Sequence, residues 1–206
     1  MSTPDDRLDK KFDDRLDNRL DSRLNEVVGK LTSRDFLEGR GLGNEIGFYI
    51  FDYPPERELE VRERLTHIRK ELTRQHPQLR VAYVNLFEMV IDYLRDRALL
   101  DKALEMQAKR GDAVLLSKLA APLQAEKLAA VFEKLVDPPS CDFVLVSGVG
   151  SVYPMLRSHS LLNNLHRIMG STPLVVFFPG GYDGQSLSLF NLLHDENYYR
   201  AFKLIP

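Results

Sequence analysis

The 206-residue sequence lacks the features that mark secreted and membrane-spanning proteins. It contains one cysteine, Cys141, which excludes internal disulfides and any multi-cysteine zinc site. Its longest apolar run, from Leu174 to Phe178, has the length of a strand, whereas a membrane-spanning helix needs about 20 apolar residues. The first residues also lack the apolar core of a secretory signal. We therefore expect a cytoplasmic protein that does not associate with membranes.

The sequence has no large excess of charge of either sign. It contains 28 lysine and arginine residues and 30 aspartate and glutamate residues, without a long basic block. Proteins that bind the phosphate backbone of DNA nonspecifically are usually more basic, so this balance disfavours direct DNA binding. The hydrophobic content of 44% is sufficient for a globular core. A chain of this length buries roughly 70% of its unfolded surface and needs no structural metal.

Short apolar runs alternate with amphipathic stretches, which is typical of an α/β fold. Runs rich in branched and aromatic residues predict four strands, from Ile46 to Asp52, Leu79 to Leu86, Phe143 to Ser147 and Leu174 to Phe178. Other patterns predict helices from Pro55 to about His76, Tyr153 to Met169 and Ser186 to Leu193, and an edge strand within Tyr199 to Ile205. The prediction is a three-layer fold with a mainly parallel sheet of four to five strands and helices on both faces, similar to a degenerate P-loop or Rossmann-like arrangement.

The predicted domain, residues 36–206, contains a helical insertion at about residues 87–137. Breaks in this helical pattern are expected near Gly111 and Pro122, giving two or three helices. This is unusually long for one connection between parallel strands. We therefore expect some of these helices to form a small lobe outside the sheet.

Residues 1–35 have a different pattern and are predicted to form a charged, amphipathic helical appendage. Apolar residues recur every four positions, among them Leu16, Leu20 and Leu24. Each four-residue step turns an α-helix by 400°, so the apolar stripe drifts by about 40° per repeat. The segment is then either a solvated appendage or a helix that binds a partner through these leucines. On either reading, removal of residues 1–24 should leave the domain folded.

No catalytic or phosphate-binding motif is complete. Gly148 and Gly150 lie between a predicted strand and helix, but Tyr153 stands where a dinucleotide fingerprint needs a small residue. The Gly-x-x-x-x-Gly-Lys-Ser/Thr loop is absent from the chain. Ser147 and Ser151 lack the Gly-x-Ser-x-Gly context of a nucleophile elbow. We expect no enzymatic activity, no cofactor and no metal site.

Polar side chains nevertheless gather at the predicted strand ends, where open α/β sheets bind ligands. One interpretation is that these residues end strands and cap helices. The other is a shallow polar pocket for a small ligand or for the loop of a partner. The candidate residues for this pocket are Asp52, Asn85, Ser147, Gly150, Ser151, Arg157, His159 and Asp183.

The sequence from about Phe36 to Pro206 resembles BrxB-type proteins of bacteriophage-exclusion (BREX) defence systems. The resemblance rests on four stretches: GLGNEIGFYIFDY at residues 41–53, LRSHSLLNN at 156–164, YDGQS at 182–186 and YYRAFKLIP at 198–206. The resemblance implies that the protein belongs to a system whose other components include an adenine DNA methyltransferase, a large ATPase and a PglZ-type protein of the alkaline phosphatase superfamily. It brings no catalytic residues with it.

Two functions are therefore expected. The favoured one is a non-enzymatic scaffold of a BREX complex, needed for host DNA methylation and phage restriction, with other BREX proteins and most of all the PglZ-type protein as partners. The alternative is a cryptic enzyme or sensor that binds a nucleotide or small ligand at the strand ends.

Overall fold

A computed structural model describes residues 19–38, 47–194 and 201–206. It has α/β architecture with a mainly parallel sheet, as predicted. The strands are β1 (Phe48–Tyr53), β2 (Val81–Asn85), β3 (Phe143–Ser147), β4 (Leu174–Tyr182), β5 (Leu187–Leu189), β6 (Leu193–His194) and β7 (Phe202–Lys203). The helices are α1 (residues 19–31), α2 (Arg34–Leu37), α3 (Glu58–Gln75), α4 (Leu86–Asp96), α5 (Leu100–Arg110), α6 (Asp112–Leu119), α7 (Ala125–Val136), α8 (Val149–Val152) and α9 (Ser158–Met169).

Five strands form a parallel sheet in the order β2–β3–β4–β1–β7. The strands of its centre are buried on both faces, which explains why their sequences read as continuous apolar runs. The last strand, β7, is the predicted edge strand and pairs with β1. The end of β4 extends beyond the parallel sheet and pairs with β5 in an antiparallel hairpin, to which β6 adds.

Helices cover both faces of the sheet and create two apolar cores. One core contains side chains of α1, α2 and α3 together with Phe51, Leu145 and Phe177. The other contains side chains of α4, α7 and α9 together with Ile50 and Val146. Because side chains alternate along a strand, neighbouring residues of one strand serve different cores. The three-layer architecture predicted from the sequence is confirmed.

The helical insertion divides into two parts. The helices α4 and α7 pack on the sheet through continuous apolar faces. The helices α5 and α6 lie farther out, and each contributes one buried residue, Ala103 and Leu119. The chain breaks at Gly111, which adopts a positive φ of 78°, and at the turn that contains Pro122, as the sequence predicts.

Two local predictions are wrong. The stretch from Ser186 to Leu193 forms β5 and β6 instead of a helix, because Leu187 and Leu189 are buried on either side of the half-buried Ser188 and pair with β4. The helix predicted from Tyr153 to Met169 begins five residues later, because α9 covers only Ser158–Met169 and the short helix α8 ends before the predicted start, at Val152. Proline at position 154 has no amide hydrogen to donate, which ends the helical pattern there.

The described part of the N-terminal helix is integral to the fold. Leu20 and Leu24 are each only 2% exposed, and they pack in the core beside α3. This corrects the prediction that they form a solvated or partner-binding surface, whereas Leu16 lies outside the described residues. The buried positions of α1 are spaced by four, three and four residues: Leu20, Leu24, Val27 and Leu31. Over the 11 residue steps from Leu20 to Leu31 the stripe drifts by only about 20°, because one of the three spacings is three residues instead of four.

We predict that Leu24→Ala destabilises the whole domain by about 2–4 kcal/mol, because it leaves a cavity between α1 and the sheet. Urea unfolding followed by circular dichroism measures this loss. The control is Glu26→Ala on the exposed side of the same helix, which should change stability by less than about 0.5 kcal/mol. Equal stability of the Leu24 variant and the wild type would mean that α1 is the appendage expected from the sequence.

Candidate functional site

The carboxyl edge of the sheet is the place where this fold could hold a ligand. In open α/β sheets, ligands bind beyond the strand ends, at the point where successive connections leave toward opposite faces. The helix after β1, α3, lies on one face, whereas α4, α7 and α9, which connect β2, β3 and β4, lie on the other. The crevice is therefore expected between the carboxyl ends of the neighbouring strands β1 and β4.

Asp52 lies at this crevice and is enclosed by the protein's own donors. It is 8% exposed and stands one residue before the end of β1. Arg23 of α1 donates to one carboxylate oxygen over 2.7 Å. Lys203 of β7 and the backbone amide of Tyr182 donate to the other over 2.8 and 3.2 Å. The carboxylate thus joins α1, β1, β4 and the C-terminal strand, and we call these groups the Asp52 cluster.

Arg23 makes further contacts within the Asp52 cluster. Its guanidinium also donates to the backbone carbonyls of Asp52 and Ile205, just beyond the last residue pair of β1 and β7. It lies 4.7 Å from the centre of the Phe51 ring. Arg23 therefore fills the end of the gap between β1 and the C-terminal segment.

The two cations keep Asp52 ionised. Burial alone would raise the pKa of Asp52, but the hydrogen bonds and charges of Lys203 and Arg23 outweigh it and lower the pKa below its ordinary value. The negative charge expected at this strand end is thus compensated within the chain.

A second polar cluster occupies the α3 side of the same edge. The Tyr83 hydroxyl and the Ser147 hydroxyl form a hydrogen bond of 2.7 Å between the ends of β2 and β3. The Tyr53 hydroxyl donates to the Glu58 carboxylate over 2.5 Å. Burial, followed by the charge of Glu58, raises the pKa of Tyr53, so that its phenol stays protonated and serves as a donor.

Arg62 and Ser151 complete this second cluster, and Arg62 is its most exposed side chain. The guanidinium of Arg62 lies 3.2 Å from Glu58 and 3.4 Å from the Ser151 hydroxyl. Of the residues in this cluster, only Ser147 and Ser151 are candidates predicted from the sequence. The tyrosines could have been found from strand alternation, since Tyr53, Tyr83 and Ser147 all follow inward residues of the α3 face at intervals of two.

Asn85 and Gly150 have structural roles. The Asn85 side chain caps α4 by accepting hydrogen bonds from the amides of Phe87 and Glu88 over 3.0 and 3.3 Å. A Cβ on Gly150 would stand 2.8 Å from the Phe190 ring and 2.9 Å from Pro179. Glycine at 150 therefore permits close packing of α8 on the β4–β5 hairpin.

The remaining candidates do not gather at the crevice. Asp183 is exposed in the turn between β4 and β5, where it accepts hydrogen bonds from the amides of Gln185 and Ser186. These backbone bonds lower the pKa of Asp183. Arg157 is exposed and immediately precedes α9. His159 lies in α9, but its side chain is outside the described residues.

The single polar pocket expected from the sequence is therefore two separate clusters. Asp52 shares its face with Ile50, whereas Ser147 shares the opposite face with Leu145. Within residues 19–38, 47–194 and 201–206, no three potential metal-ligating side chains come together. No helix in the same ranges is long and apolar enough to cross a membrane.

Comparison with known proteins adds a biological context to this geometry. A family model described as "BREX protein BrxB" matches residues 82–204. A BREX protein BrxB of Escherichia coli O9:H4 (strain HS) is 40% identical over 182 residues, which cover 88% of this chain and 90% of the relative. Another, from Bacillus cereus (strain H3081.97), is 41% identical over 184 residues, which cover 88% and 95%. No solved structure matches the chain.

We predict that Asp52→Asn lowers the free energy of unfolding by about 2–3 kcal/mol at pH 7, because Arg23 and Lys203 lose a largely buried counter-charge. Because the pKa of Asp52 is lower in the folded than in the unfolded protein, its charge contributes fully to the free energy of unfolding above the unfolded-state pKa of about 3.9. This contribution disappears as the pH falls through the lower pKa of the folded state. The difference between wild type and variant should therefore narrow below pH about 4.

Urea unfolding at a series of pH values from 7 to 3 measures this difference. The control is Asp92→Asn on the exposed surface of α4, which should have an effect of less than about 0.5 kcal/mol at pH 7. A gap that stays constant down to pH 3 would show that the charge of Asp52 does not stabilise the fold.

Proposed function

Since the chain belongs to the BrxB family of BREX proteins, we propose that it is a non-enzymatic assembly component of a BREX anti-phage defence complex. In this proposal, host DNA methylation and phage restriction need the protein for its contacts with other components. The PglZ-type protein is the first candidate among these partners.

The observation that carries the proposal is that the chain's own groups occupy the carboxyl edge of the sheet. Asp52 is bound by Arg23 and Lys203. The segment after β1, where a phosphate-binding loop would lie, begins with two prolines, which have no amide hydrogen to donate to a phosphate. Close packing of Phe190 and Pro179 fills the space beside Gly150. An edge filled in this way favours a structural role over ligand binding.

The same edge presents apolar side chains to solvent. Leu59, Phe87 and Tyr153 are 76%, 37% and 39% exposed, and they follow β1, β2 and β3 respectively. Because these strands are parallel, the residues that follow them lie at one edge of the sheet. A contiguous apolar patch with a polar rim is typical of surfaces that bind other proteins, and we propose that these three side chains belong to one. A formal net charge of −2 also favours a protein partner over DNA.

We predict that the protein and its PglZ-type partner, when co-expressed, elute together in size-exclusion chromatography, because a stable interface buries at least about 1,000 Å². Leu59→Glu should abolish co-elution and phage protection. Leu104→Glu is the matched control, because it places the same charge on an exposed leucine of the outer helix α5. Co-elution that survives Leu59→Glu, Phe87→Glu and Tyr153→Glu would exclude this edge as the interface.

The methyltransferase and the ATPase of the system are tested in the same way. Co-elution with one of them instead of the PglZ-type protein would correct the partner but keep the assembly role. If no pair and no complete system co-elutes, while the isolated protein binds DNA at physiological salt, the assembly proposal is wrong.

A small-ligand sensor is the second candidate, and the exposed Arg62 beside Ser151 is the observation that favours it. We predict no thermal stabilisation by ATP with Mg²⁺, because the Asp52 cluster and the prolines after β1 take the place where a phosphate would bind at the carboxyl edge. A ligand present at 100 times its dissociation constant stabilises a folded protein by about 2.7 kcal/mol, so a bound nucleotide would raise the melting temperature clearly. A rise that Arg62→Ala removes would favour the sensor.

A further inference from the structure

A groove runs along the free edge of β2, on the face covered by α1 and α3. Within the described part of the chain, β2 pairs only with β3. The helix α3 buries Val61, Leu65, Ile68 and Leu72 in the core. Beyond it, Leu79, Val81 and Tyr83 are only half-buried. The two helices thus leave the outermost strand partly uncovered, and the space beside it measures about 620 Å³. We call it the β2 groove.

Cations form the α3 wall of the β2 groove. Arg69, Lys70 and Arg74 line it and are exposed. Lys70 and Arg74 lie one helical turn apart in the row of four-residue steps that begins with Arg62, and Arg69 is the sequence neighbour of Lys70. The opposite side of α3 faces α1, as the hydrogen bond between Arg64 and Asn25 shows. The wall of the groove therefore carries charge of one sign.

These cations are available to a partner. Among the residues that the structure describes, neither Lys70 nor Arg74 has a carboxylate partner. The guanidinium of Arg69 lies over the Tyr83 ring at 3.7 Å from its centre, which fixes its position above the groove floor. The stacking leaves its N–H donors, which lie in the guanidinium plane, free to bind an acceptor.

The floor offers backbone hydrogen-bonding groups as well as apolar surface. The Arg80 carbonyl accepts a hydrogen bond of 2.9 Å from the Asp142 amide, so its backbone faces β3. Backbone groups alternate in direction along a strand, and those of Val81 and Tyr83 therefore face away from β3. An exposed strand edge of this kind is a template for a strand from another chain.

We propose that the β2 groove binds an acidic, extended segment of a partner protein, which adds to β2 as a strand. The edge would supply backbone hydrogen bonds, Leu79 and Val81 would contact apolar side chains, and the α3 cations would bind carboxylates. This inference rests on the proposed assembly function and specifies the chemistry of one contact. A nucleic acid would use the cations but neither the strand edge nor the aliphatic floor.

The test uses a fluorescently labelled eight-residue peptide of alternating glutamate and valine, and anisotropy at low salt. We expect saturable binding to the full chain, and about tenfold weaker binding by the triple variant Arg69→Glu, Lys70→Glu and Arg74→Glu. The matched control is Lys102→Glu, Lys109→Glu and Arg110→Glu on α5, which makes the same change of net charge on exposed sites and should bind like the wild type.

A second variant separates strand addition from simple charge attraction. In Val81→Pro the lost amide hydrogen faces away from β3, and edge strands tolerate proline there. We expect weaker binding without a change in the circular dichroism spectrum. Binding that is unaltered by this folded variant would overturn strand addition.

Other outcomes overturn the proposal as a whole. The proposal is wrong if the acidic peptide does not bind, or if the two triple variants bind it equally well. It is also wrong if a 12-nucleotide single strand binds more tightly than the peptide. A self-association of the wild type that the α3 triple variant loses would assign the groove to a second copy of the chain. Peptide binding that appears only after removal of residues 1–18 would assign the groove to the chain's own N-terminus, and would also overturn it. The peptide assay needs no BREX partner, so its failure is distinguishable from a failure of co-elution.

Discussion

The ionic contact between Asp52 and its two cations is the constraint on which the carboxyl edge depends. A buried carboxylate is tolerated only when donors and opposite charge compensate its lost hydration. Here the compensation comes from segments far apart in sequence, since Arg23 lies in α1 and Lys203 in β7. Within the described part of the C-terminus, β7 pairs with β1 through two residues, so the contact adds a link between that strand, β1 and α1.

This constraint also decides what the edge can do. A phosphate site needs backbone amides that face free space and a cation that is not already paired. In this chain, the amide of Tyr182 and the charges of Arg23 and Lys203 all bind Asp52. The chain belongs to the BrxB family of BREX proteins. The filled edge is the physical argument for the assembly role that we propose.

The sequence predicts the fold better than the site, for a definite reason. The central strands are apolar on both faces and bounded by glycine or proline, so their positions could be predicted from local composition alone. The candidate polar residues share their place after a predicted strand, which does not determine the face of the sheet to which each side chain points. Strand alternation separates Asp52 from Ser147, and the partners Arg23 and Lys203 come from distant segments that no local pattern joins to them.

The error at the N-terminal helix has a similar origin. A repeat of four residues predicts Val28 as the next core position after Leu24. The structure buries Val27 and leaves Val28 half-buried, because a step of three after Leu24 restores the direction of the stripe. Conversely, the two leucines of β5 are too few to reveal strand alternation without the pairing partner in β4. Short elements are determined by tertiary contacts, and so the hairpin after β4 could not be predicted from its own residues.

The two surfaces proposed for partners meet at Tyr83. Its hydroxyl bonds Ser147 at the carboxyl edge, while its ring lies beneath Arg69 in the β2 groove. A segment added along β2 would leave the sheet beside Phe87. This residue is exposed and lies two positions after the last residue of β2. One partner could thus contact the strand edge and the exposed apolar residues together, and each contact would raise the effective concentration for the other. A modest affinity at either surface would then be sufficient for a stable complex.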